Sequence, residues 1–140
     1  MKNRLCQIIV IWCFLSTFFS PLPVSAWGVL GHRIIGEMSE SLLDEKAKEQ
    51  ILALTGNASI AMVSNWGDEV RSDRQYDHTA NWHYTNIDGG LNRAAFDSIA
   101  IKQDNGQNIY QVILLTAYLK QVPNDTAMLK MLIHLVEDMH

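Results

Sequence analysis

The last seventeen residues, "NDTAMLKMLIHLVEDMH", constrain this chain more than any other stretch. Met128, Leu129, Met131, Leu132, Ile133, Leu135, Val136 and Met139 spread over almost the whole circumference of a helix. A helix that is apolar all round sits inside a protein, covered on every side. Asn124 or Asp125 stands where an N-cap is wanted, just after Pro123. The chain must therefore supply other helices to surround this one. Because the sequence stops at His140 with nothing after it to help cover the helix, the reading is of a chain truncated at its C-terminus.

The preceding text supplies such helices. In "WGVLGHRIIGEMSESLL", Leu30, Ile34, Met38 and Leu42 recur every fourth residue, the pattern of an amphipathic helix that turns its apolar stripe toward a core. "DEKAKEQILALTG" starts acidic and closes on Gly56, as the helix dipole and C-cap preferences require. "ASIAMVSNWGDEVRSD" is expected to be a third helix and "QNIYQVILLTAYLKQV" a fourth. Tyr76 to Asn105, rich in Asp, Asn, Gly and aromatics without sustained period, reads as loop with a short extended piece. The expectation is one all-α domain of five helices, with no internal repeat.

The first 26 residues have a different character. Lys2 and Arg4 precede the apolar run "CQIIVIWCFLSTFF", and "VSA" offers a small-x-small cleavage site, the layout of a secretory signal peptide cut after Ala26. The run is short for a bilayer span and is followed by Pro21 and Pro23. The domain reading is thus 1–26 signal peptide and 27–140 mature domain, secreted or periplasmic, with no membrane segment in the mature form. Both cysteines, Cys6 and Cys13, lie in the leader, so the mature chain relies on its core or on metal rather than on disulfides. Losing Lys2 and Arg4 lowers the formal charge from −4 to −6. Such acidity excludes a protein that grips nucleic acid by bulk charge. It leaves room for one whose bound cations supply positive charge locally.

Candidate chemistry begins inside the apolar helix. His134 and Asp138 are four apart and share a face. A histidine and a carboxylate there are costly unless satisfied, and a plain His–Asp hydrogen bond would suffice. Asp68 in "NWGDEVR" sits beside Trp66 and either pairs with Arg71 at i,i+3 or serves as a ligand. His83 in "NWHYTNID" is either packed among aromatics or a ligand, and His78, in a polar run, reads as solvated. Imidazoles and carboxylates drawn together form a zinc-type ligand set. Cleavage after Ala26 would add to it, because the freed amine and the carbonyl of Trp27 can chelate a metal and His32 follows closely.

"WGVLGH" at the new N-terminus, "WGDEVR", "WHYTNID" and "HLVEDMH" resemble, in order and spacing, the amino-terminal half of the S1/P1 nuclease family. The resemblance runs from Trp27 to His140 and implies a phospholipase C/P1 nuclease-like all-α domain. It further implies a zinc-dependent endonuclease that hydrolyses single-stranded DNA or RNA to products with 5′-phosphates. Residue by residue, it implies that Trp27 and His32 bind one zinc, that Asp68, His83 and His134 bind a second, and that Asp138 bridges them. Arg71 would face the phosphate, Tyr84 would stack on a base and Asn86 would contact a base edge. Asp68, Arg71 and Asp138 would be the catalytic residues. Family members carry three zinc ions, and the residues present here supply ligands for at most two, the third depending on a later Gln-Pro-x-His segment and HxxxD pair. The implied partner is single-stranded nucleic acid, with no protein partner. Two other readings stay open: a zinc-dependent phospholipase C-like phosphodiesterase, and an exported helical binding protein without catalysis.

Overall fold

The computed structural model describes residues 28–102 and 107–139. The leader, Trp27 and His140 lie outside the described residues. Among the described residues there is no β-strand, and seven α-helices with two 3-10 helices make an all-α structure. The α-helices are α1 (Val29–Ser41), α2 (Glu45–Thr55), α3 (Ile60–Val63), α4 (Trp66–Glu69), α5 (Arg93–Lys102), α6 (Asn108–Gln121) and α7 (Thr126–Asp138). The 3-10 helices cover Val70–Ser72 and Arg74–Thr79.

Local chemistry sets most boundaries. Asp44 caps α2 by accepting from the Ala47 amide at 2.7 Å, and Gly56 closes it at φ 71°, a left-handed conformation suited to glycine. Ser59 caps α3 through the Met62 amide. Asp125 caps α7 through the Met128 amide at 3.1 Å. Glu40 of α1 accepts from the first amide of α3, Ile60 N, at 2.7 Å, and so fastens the two helices.

The sequence α7 occupies the centre, packed on α6, α4, α1, α3 and α2. Leu115, Met131 and Leu135 form the apolar core, with Trp66, Val70, Trp82, Val112, Met128 and Leu132 packed around them. Coverage is not complete as expected. Met131, His134, Leu135 and Glu137 are buried, while Val136 is 41% and Met139 52% exposed. The buried arc of α7 is the one that carries the histidine.

Three other expectations change. The predicted apolar stripe of α1 faces outward, with Leu30 72% and Leu42 85% exposed and Ile34 and Met38 exposed between them. His32 and Gly36 are buried instead. Close approach decides this: a Cβ on Gly36 would collide with Ser64 Oγ and reach 2.9 Å from the Ala61 Cα. Only the glycine face lets α1 lie this near α3. The expected third helix breaks at Ser64–Asn65 into α3 and α4 and tightens into 3-10 turns. The stretch read as loop contains α5, which Asn92 caps through the Ala95 amide at 2.9 Å. An exposed Arg93–Asp97 pair and buried Ala100 support it, cues too weak to yield an apolar period.

Candidate metal centre

The break between α3 and α4 begins the site. The amides of Asp68 and Glu69 both bond to the Asn65 carbonyl, at 3.1 Å each, which leaves the Ser64 carbonyl without an amide from the next turn. His134 Nδ1 lies 2.8 Å from that oxygen. A carbonyl can only accept, so Nδ1 carries a proton, and Nε2 is the nitrogen that faces the cluster and can bind a metal when the ring is neutral. The fully buried ring packs against Gly67, where a Cβ would come within about 3.0 Å of imidazole Nε2 and closer still to Cγ and Cδ2.

A second histidine arrives from α1. His32 is buried, with Nδ1 2.8 Å from Glu137 Oε2. Its Nε2 is buried without a hydrogen-bond partner, 3.6 Å from Asp138 Oδ1 and 4.0 Å from Asp68 Oδ2. The His32 and His134 rings stack with centroids 4.4 Å apart. His83, following the second 3-10 helix, brings Nδ1 to 3.1 Å from Asp138 Oδ2, 3.0 Å from His134 Nε2 and 3.9 Å from Asp68 Oδ1. His83 Nε2 is likewise buried and unpartnered.

Two sets of ligand atoms converge: His32, His134 and Asp138 in one, and Asp68, His83 and His134 in the other, each within 4.8 Å of one another. His134 is common to both. The two oxygens of Asp138 face different histidines, Oδ1 toward His32 and Oδ2 toward His83 and His134. These groups can hold a metal ion. Imidazole nitrogens turned toward carboxylate oxygens, with His32 Nε2 buried and unsatisfied near two of them, suit a cation of the zinc type.

Electrostatics point the same way. Burial pushes the Asp138 carboxyl up, yet hydrogen bonds from His134 and His83 and their charges hold it well below the usual carboxylate range. Burial works against charge on His134, but Asp138, the Ser64 carbonyl and Asp68 outweigh it and raise its pKa. Glu137 is raised by burial, against the hydrogen bonds from Ser64 and His32. Carboxylates thus crowd three imidazoles, a field that a cation neutralises.

The remaining predicted residues stand at the edge. Asp68 is half-exposed and does pair with Arg71, Nη1 to Oδ1 at 3.4 Å, while also facing the histidines. The His134–Asp138 bond, 3.2 Å, is present too, within this larger cluster. The segment 84–86 is clamped to the start of α6: Asn108 N donates to the Tyr84 carbonyl at 3.0 Å, Ile109 N to Thr85 Oγ1, and Asn86 N to Gln107 Oε1. Tyr84 is 47% exposed, and its hydroxyl donates to Asn81 Oδ1. With Thr85, Asn108, Ile109, Asp138 and Met139 it lines a cleft of about 210 Å³ that reaches the cluster. Asn86 does not line that cleft. His78 is exposed and sits edge-on to Trp82.

A family model described as S1/P1 Nuclease matches residues 27–140. The chain belongs to the S1/P1 nuclease family. Comparison with curated proteins and with solved structures returned no match. The S1/P1 nucleases are hydrolases of the nuclease class and zinc-dependent. Among the described residues, no helix is long and apolar enough to cross a membrane.

Several residues that build this cluster have no part in the sequence reading. Glu137 lay in view as a third polar group, three residues after His134 in the same apolar run. Ser64 and Gly67 gave no signal of their own, since their roles arise from a helix break and a ring contact between segments distant in sequence.

Proposed function

We propose that this sequence belongs to a zinc-dependent endonuclease that hydrolyses phosphodiester bonds of single-stranded DNA and RNA and leaves 5′-phosphates, the residues present here supplying ligands for two of its zinc ions. The convergence of His32 Nε2, His83 Nδ1 and His134 Nε2 on the Asp68 and Asp138 carboxylates supports this reading most directly. Asp68, His83 and His134 would hold one zinc, Asp138 would bridge, and His32 would hold a second together with the amine and carbonyl of Trp27. Zinc in such a site lowers the pKa of a water from about 16 toward 7 and polarises a phosphoryl oxygen.

The protein's own groups then have definable tasks. Asp68 and Asp138 balance the metal charge and fix its position against the histidines. Arg71, its guanidinium exposed beside Asp68, would bind a non-bridging phosphoryl oxygen and stabilise charge that grows there. Tyr84, half exposed at the cleft mouth, would stack on a base, and Asn86 would touch a base edge. A base held in a duplex is not free to stack on Tyr84, which gives the preference for single strands. The leader would carry the chain across a membrane and be cut after Ala26, creating the Trp27 amine.

The test is to purify the protein beginning at Trp27, together with whatever its gene encodes after His140, measure bound zinc, and offer a labelled single strand, its duplex and phosphatidylcholine. The expected result is cleavage of the single strand, 5′-phosphate ends, and loss of activity with chelator. Hydrolysis of phosphatidylcholine with intact DNA would replace the nuclease by a lipid phosphodiesterase. Absence of bound zinc would overturn the reading.

A further inference from the structure

Glu137 is a nearly buried carboxylate that neither ligand set includes. Both of its oxygens are committed within the protein: Oε2 lies 2.8 Å from His32 Nδ1 and Oε1 2.7 Å from the Ser64 hydroxyl. We infer that Glu137, held by Ser64, is a positioning residue that fixes the tautomer and orientation of His32, so that Nε2 presents its lone pair to the Asp68–Asp138 side for a divalent cation. The inference rests on the metal-binding reading above and names what makes His32 a competent ligand.

The chemistry follows from what each group can donate. A carboxylate accepts only, so the His32 proton resides on Nδ1 and Nε2 is left as a lone pair. That nitrogen is buried and unpartnered, and it lies between two carboxylates rather than beside a donor. Without Glu137 the stable choice reverses: a proton on Nε2 could bond to Asp138 Oδ1, 3.6 Å away, and the ligand atom would be lost. Ser64 sets the angle of Glu137, its hydroxyl lying between Glu137 Oε1 and the Ile60 carbonyl at 2.8 Å. Metal-bound histidines commonly carry a carboxylate or carbonyl on the second nitrogen, and its loss weakens metal binding about 10–100-fold. A rival account makes the His32–Glu137 bond only a fastener between α1 and α7.

The two accounts separate experimentally. In metal-free protein at mildly alkaline pH, nitrogen NMR of the histidine rings reports which nitrogen carries the proton. The wild type should show His32 protonated on Nδ1. Glu137→Ala should move that proton to Nε2, while His134, bonded to a backbone carbonyl, keeps its tautomer and serves as the internal reference. Glu137→Gln retains an acceptor oxygen and should hold the Nδ1 tautomer, which rescues a folded protein if the alanine variant unfolds. Competition with a chromophoric chelator should show zinc affinity reduced about 10–100-fold in Glu137→Ala and less in Glu137→Gln and Ser64→Ala. A His32 tautomer indifferent to Glu137, or zinc bound equally by wild type and Glu137→Ala, overturns the inference. A wild type that binds no zinc while the tautomer shifts as described sinks the functional reading and leaves the positioning role standing.

Discussion

The inner wall and the outer rim of the candidate metal centre are built on different terms. On the wall, His32, His134 and Glu137 are buried, and each is hydrogen-bonded on the side away from the cluster. On the rim, Asp68, Arg71 and Tyr84 are a third to a half or more exposed, and their side-chain hydrogen bonds are to near sequence neighbours. A buried polar group with fixed partners has one geometry, because leaving a partner unpaired costs about 1–3 kcal/mol. An exposed pair can part at little cost and let a ligand in. The wall is suited to holding an ion rigidly, and the rim to yielding to whatever the ion attracts.

Four experiments would break or sharpen that contrast. Stripping zinc with a strong chelator should have the largest effect. At free zinc about 1,000-fold above its dissociation constant, the bound ion contributes about 4 kcal/mol, read as a fall in Tm on chelation. An unchanged Tm would mean that the wall stands without an ion. Next comes Gly67→Ala, whose new methyl collides with the His134 ring. Overpacking of this kind costs about 1–3 kcal/mol, and the upper end is expected because the ring cannot retreat without leaving the Ser64 carbonyl. Denaturant unfolding would measure it, and a neutral outcome would show that the wall gives way. On the rim, Tyr84→Ala should weaken binding of a short single strand by about 1–2 kcal/mol, with kcat changed far less. Equal affinity in a binding titration would remove Tyr84 from substrate contact. The smallest effect belongs outside both regions: Leu30→Gln on the exposed stripe of α1 should change unfolding free energy by no more than about 0.5 kcal/mol. A larger loss would mean that the outward stripe is covered in solution.

These contrasts also mark what could be read from the linear text. The caps at Gly56 and Asp125 were legible, since both act through their own neighbours. His134 and Asp138 were legible as polar interruptions of an apolar helix, and the four quoted motifs brought Asp68 and His83 with them. The buried side of α1 was not. Hydropathy points to Leu30, Ile34, Met38 and Leu42, but helix contact is decided by how near two backbones can come, and that distance is set by Gly36 against Ser64 and Ala61. The interruption at Ser64–Asn65 has no proline or glycine to announce it. Ser64 and Glu137 matter through contacts across 73 residues of chain, which no local pattern encodes.

The two buried histidines differ in how their orientation is stored. For His32 it resides in one side chain, Glu137, and so in a single codon that one base change can convert to lysine, valine or glycine. For His134 it resides in the path of the backbone at Ser64, whose carbonyl is present whatever residue occupies that position. Substitution at residue 64 can erase the hydroxyl but not the acceptor. Random mutation therefore has a direct route to disorienting one histidine, and must redirect the main chain itself to disorient the other.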